Sequence, residues 1–410
     1  MRILIVTAGS RGDVAPFTGL GRRLADAGHR VAVAAHPSFA GLVGGCGLAH
    51  RPVPGDPREL ILGWSRAASP AERRALTRAY ADGLADGVAD AVAAGTDLVL
   101  TAFGPAPLSR TAAAAYGIPV VGTYVTPAVA TERFALPGAR DSDGTGPEDR
   151  LGAGRAVLAR AEGLFAGAVS RLRDRLGLPE DTPSAAGAIR PVFHGWSPLV
   201  LPRPDDWPSG VEVTGYWWPP RPDGWSPPAP LVDFLRAGPP PVFIGFGSMA
   251  PDQGERLGEL VDAAVRRAGV RAVVQAGWAG LGSGSGSGSG SENVMAVGDV
   301  PHDWLFPRTA AVVHHAGAGT TAAGLRAGVP ALPVPVMADQ PFWASRLCGL
   351  GVAPRALPFG DLTAASLGDA IRECLAEPAH RRRAAELARA IAAEDGAARV
   401  LAHVRSLEAD

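Results

Sequence analysis

Short, uninterrupted apolar runs recur along the chain, each followed by a glycine-bearing loop and then by apolar residues at helical spacing. Residues 2–7 (RILIVT) read as a buried parallel strand, since a strand covered on both faces shows no polar alternation. The loop 8–13 follows, then a helix over 14–27 closed by Gly28, then a second strand at 31–35. The order returns at 97–103 (DLVLTAF), with a helix to Ala115, Gly117, and a strand at 119–125. Residues 59–94 read as helical and partly exposed, with Gly95 as their stop. Residues 140–149 (RDSDGTGPED) read as a polar, mobile loop. Strands alternating with helices predict a doubly wound parallel sheet.

Proline and tryptophan crowd into 198–241, so an interdomain linker is expected there, at 206–230. A fresh α/β series follows, with apolar runs at 242–246, 272–277, 294–297, 311–313 and 331–336. The fold class expected is therefore α/β: two Rossmann-like domains, 1–205 and 231–388, with parallel sheets facing across a cleft. Between the second and third of these runs lies a Gly-Ser alternation, 282–291, which has nothing to build a core from and reads as a flexible loop, either inserted or engineered or a natural repeat. The final segment, 373–407, has helical spacing.

Length and composition change little in this picture. With 410 residues, two domains are the prior; 47% hydrophobic and 19% charged residues describe a globular chain. A net charge of −1 offers no electrostatic footprint for nucleic acid, and no run approaches the apolar length of an integral membrane segment. Cys46, Cys348 and Cys374 are odd in number and widely spaced, which predicts neither a disulfide frame nor a metal site and fits a cytoplasmic setting. The sequence contains no lysine, which excludes Schiff-base chemistry and the GK[ST] phosphate loop.

Candidate chemistry gathers at the predicted carboxyl ends of strands, where open α/β sheets bind ligands. The stretch 311–340 (AVVHHAGAGTTAAGLRAGVPALPVPVMADQ) runs from strand through a small-residue turn into a helix opened by Thr320 and Thr321. That is an anion site in outline, because the first N–H groups of a helix lack internal partners and its dipole favours negative charge. His315 precedes the turn directly and can bind the same anion. His314, its neighbour on the strand, faces the other way, so a shared metal is not expected. Asp339-Gln340 combines a carboxylate with an amide, which suits neighbouring hydroxyls as well as a plain turn. Asp13, in the loop GSRGD, fits two roles: a base facing a substrate hydroxyl, or a first-turn acid of the following helix. Ser248 can serve an anion or cap a helix, and Trp278 can stack on a planar base or pack inside.

The segments GSRGDVAPFTGLGRRLADAGHRVAVAAH, GFGSM, GDVPHDWLFPR, VVHHAGAGTTAAGLRAGVPAL and MADQPFW resemble the nucleotide-sugar-dependent glycosyltransferases of the two-Rossmann-domain (GT-B) type. Within that family they are closest to the natural-product and sterol glucosyltransferases. The resemblance implies an inverting, metal-independent O-glycosyltransferase without a cofactor, whose co-substrate is a UDP- or dTDP-sugar and whose acceptor is a lipophilic small molecule. Asp13 would be the base, with Ser10 and Gly12 in the same loop. His315, Gly317, Gly319 and Thr320 would hold the donor diphosphate, with Ser248 nearby. Val300 would meet the nucleobase through its backbone, Trp278 would lie near the nucleoside, and Asp339 and Gln340 would bind sugar hydroxyls. The C-terminal helix, 389–410, would return to the N-terminal domain. Ala316 departs from the pattern, for the family usually has glycine there.

The main expectation is transfer of a hexose or deoxyhexose to a hydroxyl of a polyketide or glycopeptide aglycone, with sterol or lipid glucosylation from UDP-glucose as the alternative. A nicotinamide-dependent oxidoreductase is the competitor from another class. It would need an acid after the second strand, where the chain reads Ala35-His36-Pro37. A non-catalytic binding partner would not need Asp13, His315 and Asp339-Gln340 together.

Overall fold

The computed structural model describes residues 1–139, 146–179, 191–281 and 292–409, so the Gly-Ser run and positions 140–145 lie outside the described residues. The chain divides into two compact units, Met1–Asp223 with Asp395–Asp410, and Gly224–Glu394.

The first unit is built on a seven-stranded sheet. Its strands are β1 (Arg2–Val6), β2 (Arg30–Ala35), β3 (Ala49–Pro52), β4 (Leu98–Thr101), β5 (Val120–Tyr124), β6 (Val192–His194) and β7 (Val211–Val213), in the order β3-β2-β1-β4-β5-β6-β7. Every pairing is parallel. Residues alternate across the sheet, so Ile3 and Ile5 join one core with Phe17, Leu20 and Leu24 of the helix Arg11–Asp26. Leu4 and Val6 join another with Leu84, Val88 and Val92. Val400, Leu401 and Val404 of the helix Ala398–Ala409 close the first of these cores. The tail is fastened by Trp217 Nε1 donating to Gly396 O (3.0 Å) and by the paired bonds from Arg399 to Glu212 (2.8 and 2.9 Å).

The second unit has five parallel strands, β8 (Val242–Gly245), β9 (Ala272–Gln275), β10 (Val294–Val297), β11 (Ala311–His314) and β12 (Ala331–Pro333), in the order β10-β9-β8-β11-β12. Phe243, Val273 and Val312 from its strands pack with Val300, Leu305 and Phe306. In both sheets the strand order reverses once, between β1 and β4 and between β8 and β11. Such switch points open crevices at the strands' carboxyl ends.

Four expectations need correction. The segment 206–230 is not only a linker, since β7 pairs with β6 and Tyr216 and Trp217 are buried, which carries the first unit on to Asp223. The loop expected over 140–149 ends sooner, because Pro147 opens the helix Pro147–Leu176 and the Asp149 carboxylate accepts from Gly146 N. Residues 59–94 form two helices, Pro57–Arg66 and Pro70–Ala93, the second capped by Ser69 accepting from Glu72 N. The helical stretch at the C-terminus is three helices, Ala364–Ala376, Pro378–Ile391 and Ala398–Ala409, because Pro378 cannot continue the first. Among the described residues no helix is long and apolar enough to cross a membrane.

Helix Arg11–Asp26 carries Asp13, and its seat depends on Gly19. A methyl group there would stand 2.2 Å from the carbonyl oxygen of Trp218. Gly19→Ala is expected to destabilise the protein by about 2 kcal/mol or more, the cost of forcing a close-packed contact apart. Gly41→Ala, where nothing lies within 4 Å, is the matched control and should not lower Tm. Equal urea midpoints for the two variants would refute the contact.

Candidate active site

In the first unit the site is the loop between β1 and the helix Arg11–Asp26. Ser10 is the N-cap and Asp13 the third helical residue. The Asp13 Oδ2 accepts from Ser10 N (2.7 Å) and Ser10 Oγ (3.1 Å), and Thr7 Oγ1 donates to the Asp13 carbonyl (2.6 Å). Both readings of Asp13 thus meet in one carboxylate, which closes a capping box while sitting half-buried at a sheet's carboxyl end. Burial pushes its pKa up, against the lowering effect of the Ser10 donors. Ser10 spends its hydroxyl on Asp13. At the exposed Gly12 a methyl group would meet only Ser10 Oγ, at 3.8 Å, so packing does not demand glycine there.

Two partners of Asp13 escaped the sequence reading. Gly9 has φ +129, and a methyl group on it would stand 2.4 Å from Asp13 Oδ2. Tyr80, from the helix Pro70–Ala93, faces the Gly9 amide and the Asp13 charge, and burial raises the pKa of its phenol first of all. Gly9 was visible as a glycine, but its closeness to a side chain four positions on is a matter of backbone angle.

In the second unit, β11 delivers His314 and His315 to a turn that leads into the helix Ala318–Ala327, with Gly317 as N-cap. No side chain caps that helix and no acid stands in its first turn, so Gly319 and Thr320 sit where the dipole is positive and uncompensated. The His315 imidazole lies between two glycines. A methyl group on Gly247 would stand 2.7 Å from its Cε1, and one on Gly317 would stand 2.5 Å from its Nε2. His315 Nδ1 and Thr321 Oγ1 are buried without hydrogen-bond partners among the described residues. Burial lowers the His315 pKa to about 4 and that of His314 to about 3, so both rings are neutral near pH 7. His314 is wholly buried, and its Nδ1 accepts from Ala316 N (3.1 Å).

Of the other expected donor residues, Ser248 and Trp278 are tied to this turn through Gly247. Ser248 is buried directly after Gly247 in the loop following β8. Trp278 N donates to Gly247 O (2.8 Å), which ties the loop after β9 to the same place. The indole of Trp278 is half-buried, and no aromatic ring packs on it among the described residues. The Val300 side chain belongs to the core, which leaves its backbone as the only part able to meet a ligand. Gln340 is buried, its Oε1 accepting from Val336 N (2.8 Å) and Met337 N (3.0 Å), and Asp339 Oδ2 accepts from Trp343 Nε1 (2.9 Å). The Gln340 oxygen thus holds its own loop, and its amide NH2 is the group left to offer a hydroxyl.

Two open parallel sheets, each with polar residues on the loops at its switch point, match the two-domain fold of GT-B glycosyltransferase structures. A solved structure, described as that of the glycotransferase of kitacinnamycin, shares the fold with a TM-score of 0.72 at 22% identity, covering 99% of this chain and 98% of its own. The family model for the glycosyltransferase family 28 N-terminal domain matches residues 3–99, and that for the erythromycin biosynthesis protein CIII-like C-terminal domain matches residues 281–407. The chain is 37% identical over 433 residues to the O-mycaminosyltylonolide 6-deoxyallosyltransferase of Streptomyces fradiae, covering 97% of this chain and 95% of that one. It is 32% identical over 412 residues to the sterol 3-beta-glucosyltransferase UGT80A2 of Arabidopsis thaliana, covering 97% of this chain but 64% of the plant protein's length. The chain belongs to the nucleotide-sugar glycosyltransferase family.

Proposed function

We propose that the protein is an inverting O-glycosyltransferase that moves a hexose or deoxyhexose from a UDP- or dTDP-sugar to a hydroxyl of a lipophilic small molecule. The observation that carries the reading is the turn at His315. There a helix start without cap or acid and a buried imidazole nitrogen without partner stand together, with Gly247 and Gly317 on either side of the ring. Such a place attracts a diphosphate and stabilises it as it leaves.

Asp13 takes the proton of the acceptor hydroxyl as its oxygen attacks the anomeric carbon. The bond from that carbon to the diphosphate breaks in the same step, the configuration inverts, and the nucleoside diphosphate departs with its charge on the helix N-terminus and His315. The gathering negative charge would draw a proton toward His315, whose neutral state in the free protein is a product of burial. No metal is required, so EDTA should leave the rate unchanged. A macrolide-like acceptor is favoured over a sterol because the deoxyallosyltransferase matches this chain almost end to end.

Calorimetric titration with dTDP, UDP and NAD tests the donor half. The pyrimidine diphosphates should bind and NAD should not, and His315→Ala should weaken binding. Mass-spectrometric screening of dTDP- and UDP-sugars against macrolide and sterol acceptors then tests transfer. Binding of NAD with neither diphosphate would overturn the proposal.

A further inference from the structure

Four non-glycine residues among those described have positive φ: Ala250 (+52), Asp252 (+61), Ala316 (+62) and Ala338 (+58). All lie on loops after β8, β11 and β12. A residue with a β-carbon resists this left-handed region, and such residues persist only where their surroundings hold them. Ala316 is the most enclosed of the four, with none of its surface exposed.

What holds Ala316 is the residue two positions before it. His314 ends β11, in register with Gly245 of β8 and Pro333 of β12, and its carbonyl accepts from Val334 N (2.7 Å). Its backbone is therefore fixed on both sides. From that anchor Nδ1 accepts the Ala316 amide at 3.1 Å. Accepting at Nδ1 requires the ring's proton to be on Nε2. Burial keeps the ring neutral, with its pKa lowered to about 3, so the Nδ1 lone pair persists at any working pH.

We infer that His314 is a positioning residue for the donor loop: by accepting the Ala316 amide it locks the left-handed turn that presents His315, Gly317 and the first turn of the helix Ala318–Ala327. The inference rests on the donor-site reading above. It also gives Ala316 a meaning. With glycine at that position the turn would form without help, whereas with alanine it depends on His314.

The test is binding of dTDP and UDP by calorimetry, with Tm measured alongside. His314→Leu fills the space but offers no acceptor, and it should raise the Kd about tenfold. His314→Asn places its Oδ1 the same number of bonds from the backbone as the imidazole Nδ1, and should recover most of that loss. Ala316→Gly added to His314→Leu should recover it too, because glycine adopts φ +62 without strain. The asparagine variant should nevertheless have the lower Tm of the two single variants, since a buried amide with a cavity costs more than leucine. Affinity and stability then fall in opposite orders, which a merely structural role cannot produce.

Leucine-variant binding equal to wild type, or no recovery on adding Ala316→Gly, overturns the inference alone. Absence of binding by the wild type removes the donor-site reading and this inference with it. Imidazole nitrogen shifts of the wild type give a readout that does not depend on any variant folding: the His314 proton must be on Nε2, and a proton on Nδ1 overturns the lock.

Discussion

Asp13→Asn is expected to lower kcat by about a thousandfold, within the range that a lost general base costs, while dTDP and UDP still bind. Asparagine is the right replacement because its oxygen can keep accepting from Ser10 N and Oγ, which Asp13 Oδ2 does at 2.7 and 3.1 Å. The loop and the helix start then survive, and what disappears is the ability to take a proton. Alanine would also remove the carboxylate half of the capping box, and so mix two effects. The pH profile gives an independent check. Asp13 must be ionised to act, and burial raises its pKa above the ordinary aspartate value. Activity should therefore fall as pH drops through that raised value, and this acid limb should be missing from the residual activity of the asparagine variant. Retention of a tenth or more of wild-type kcat would sink the base assignment.

One carboxylate that closes a capping box and sits at a sheet's carboxyl end fits both roles, cap and base, which is why the sequence alone could not decide between them. Ser-x-x-Asp before an apolar helix has the spacing of a capping box, and the carboxylate used for the box is the half-buried one in the loop after β1. The long apolar strands were legible because a strand buried on both faces needs uninterrupted hydrophobicity. Strands β3, β6 and β7 were not: each is short and carries a polar or charged residue, His50, His194 or Glu212, that breaks the run. Helix ends at Ser69 and Pro147 follow from caps and proline geometry that the periodicity of 59–94 and the polarity of 140–149 concealed. At the donor loop, the replacement of glycine by Ala316 was visible, but its φ of +62 and its bond to His314 are three-dimensional facts. At Gln340 the residue type was legible, but that its oxygen accepts from Val336 N and Met337 N and only its NH2 stays available is a fact of the folded loop.

Gly247→Ala should cost about a hundredfold in kcat/KM for the donor, comparable to losing one preorganised donor group at a developing anion. Gly247 has φ +57, so alanine there is strained before it meets any neighbour. Its methyl group would then lie 2.7 Å from Cε1 and 3.2 Å from Nδ1 of His315. The ring cannot retreat from it toward Gly317, where even a single methyl group would stand 2.5 Å from Nε2. Nor can Gly247 back away, because its carbonyl accepts from Trp278 N and lies 2.4 Å from where a methyl group on Gly277 would be. The methyl group would therefore push His315 out of its place in the turn, and on the proposed reading away from the diphosphate. Gly258→Ala, on a helix of the same unit with nothing within 4 Å, separates this from general loss of stability. If Gly247→Ala lowers Tm but leaves the donor KM and kcat as in Gly258→Ala, His315 does not act from the place the two glycines give it.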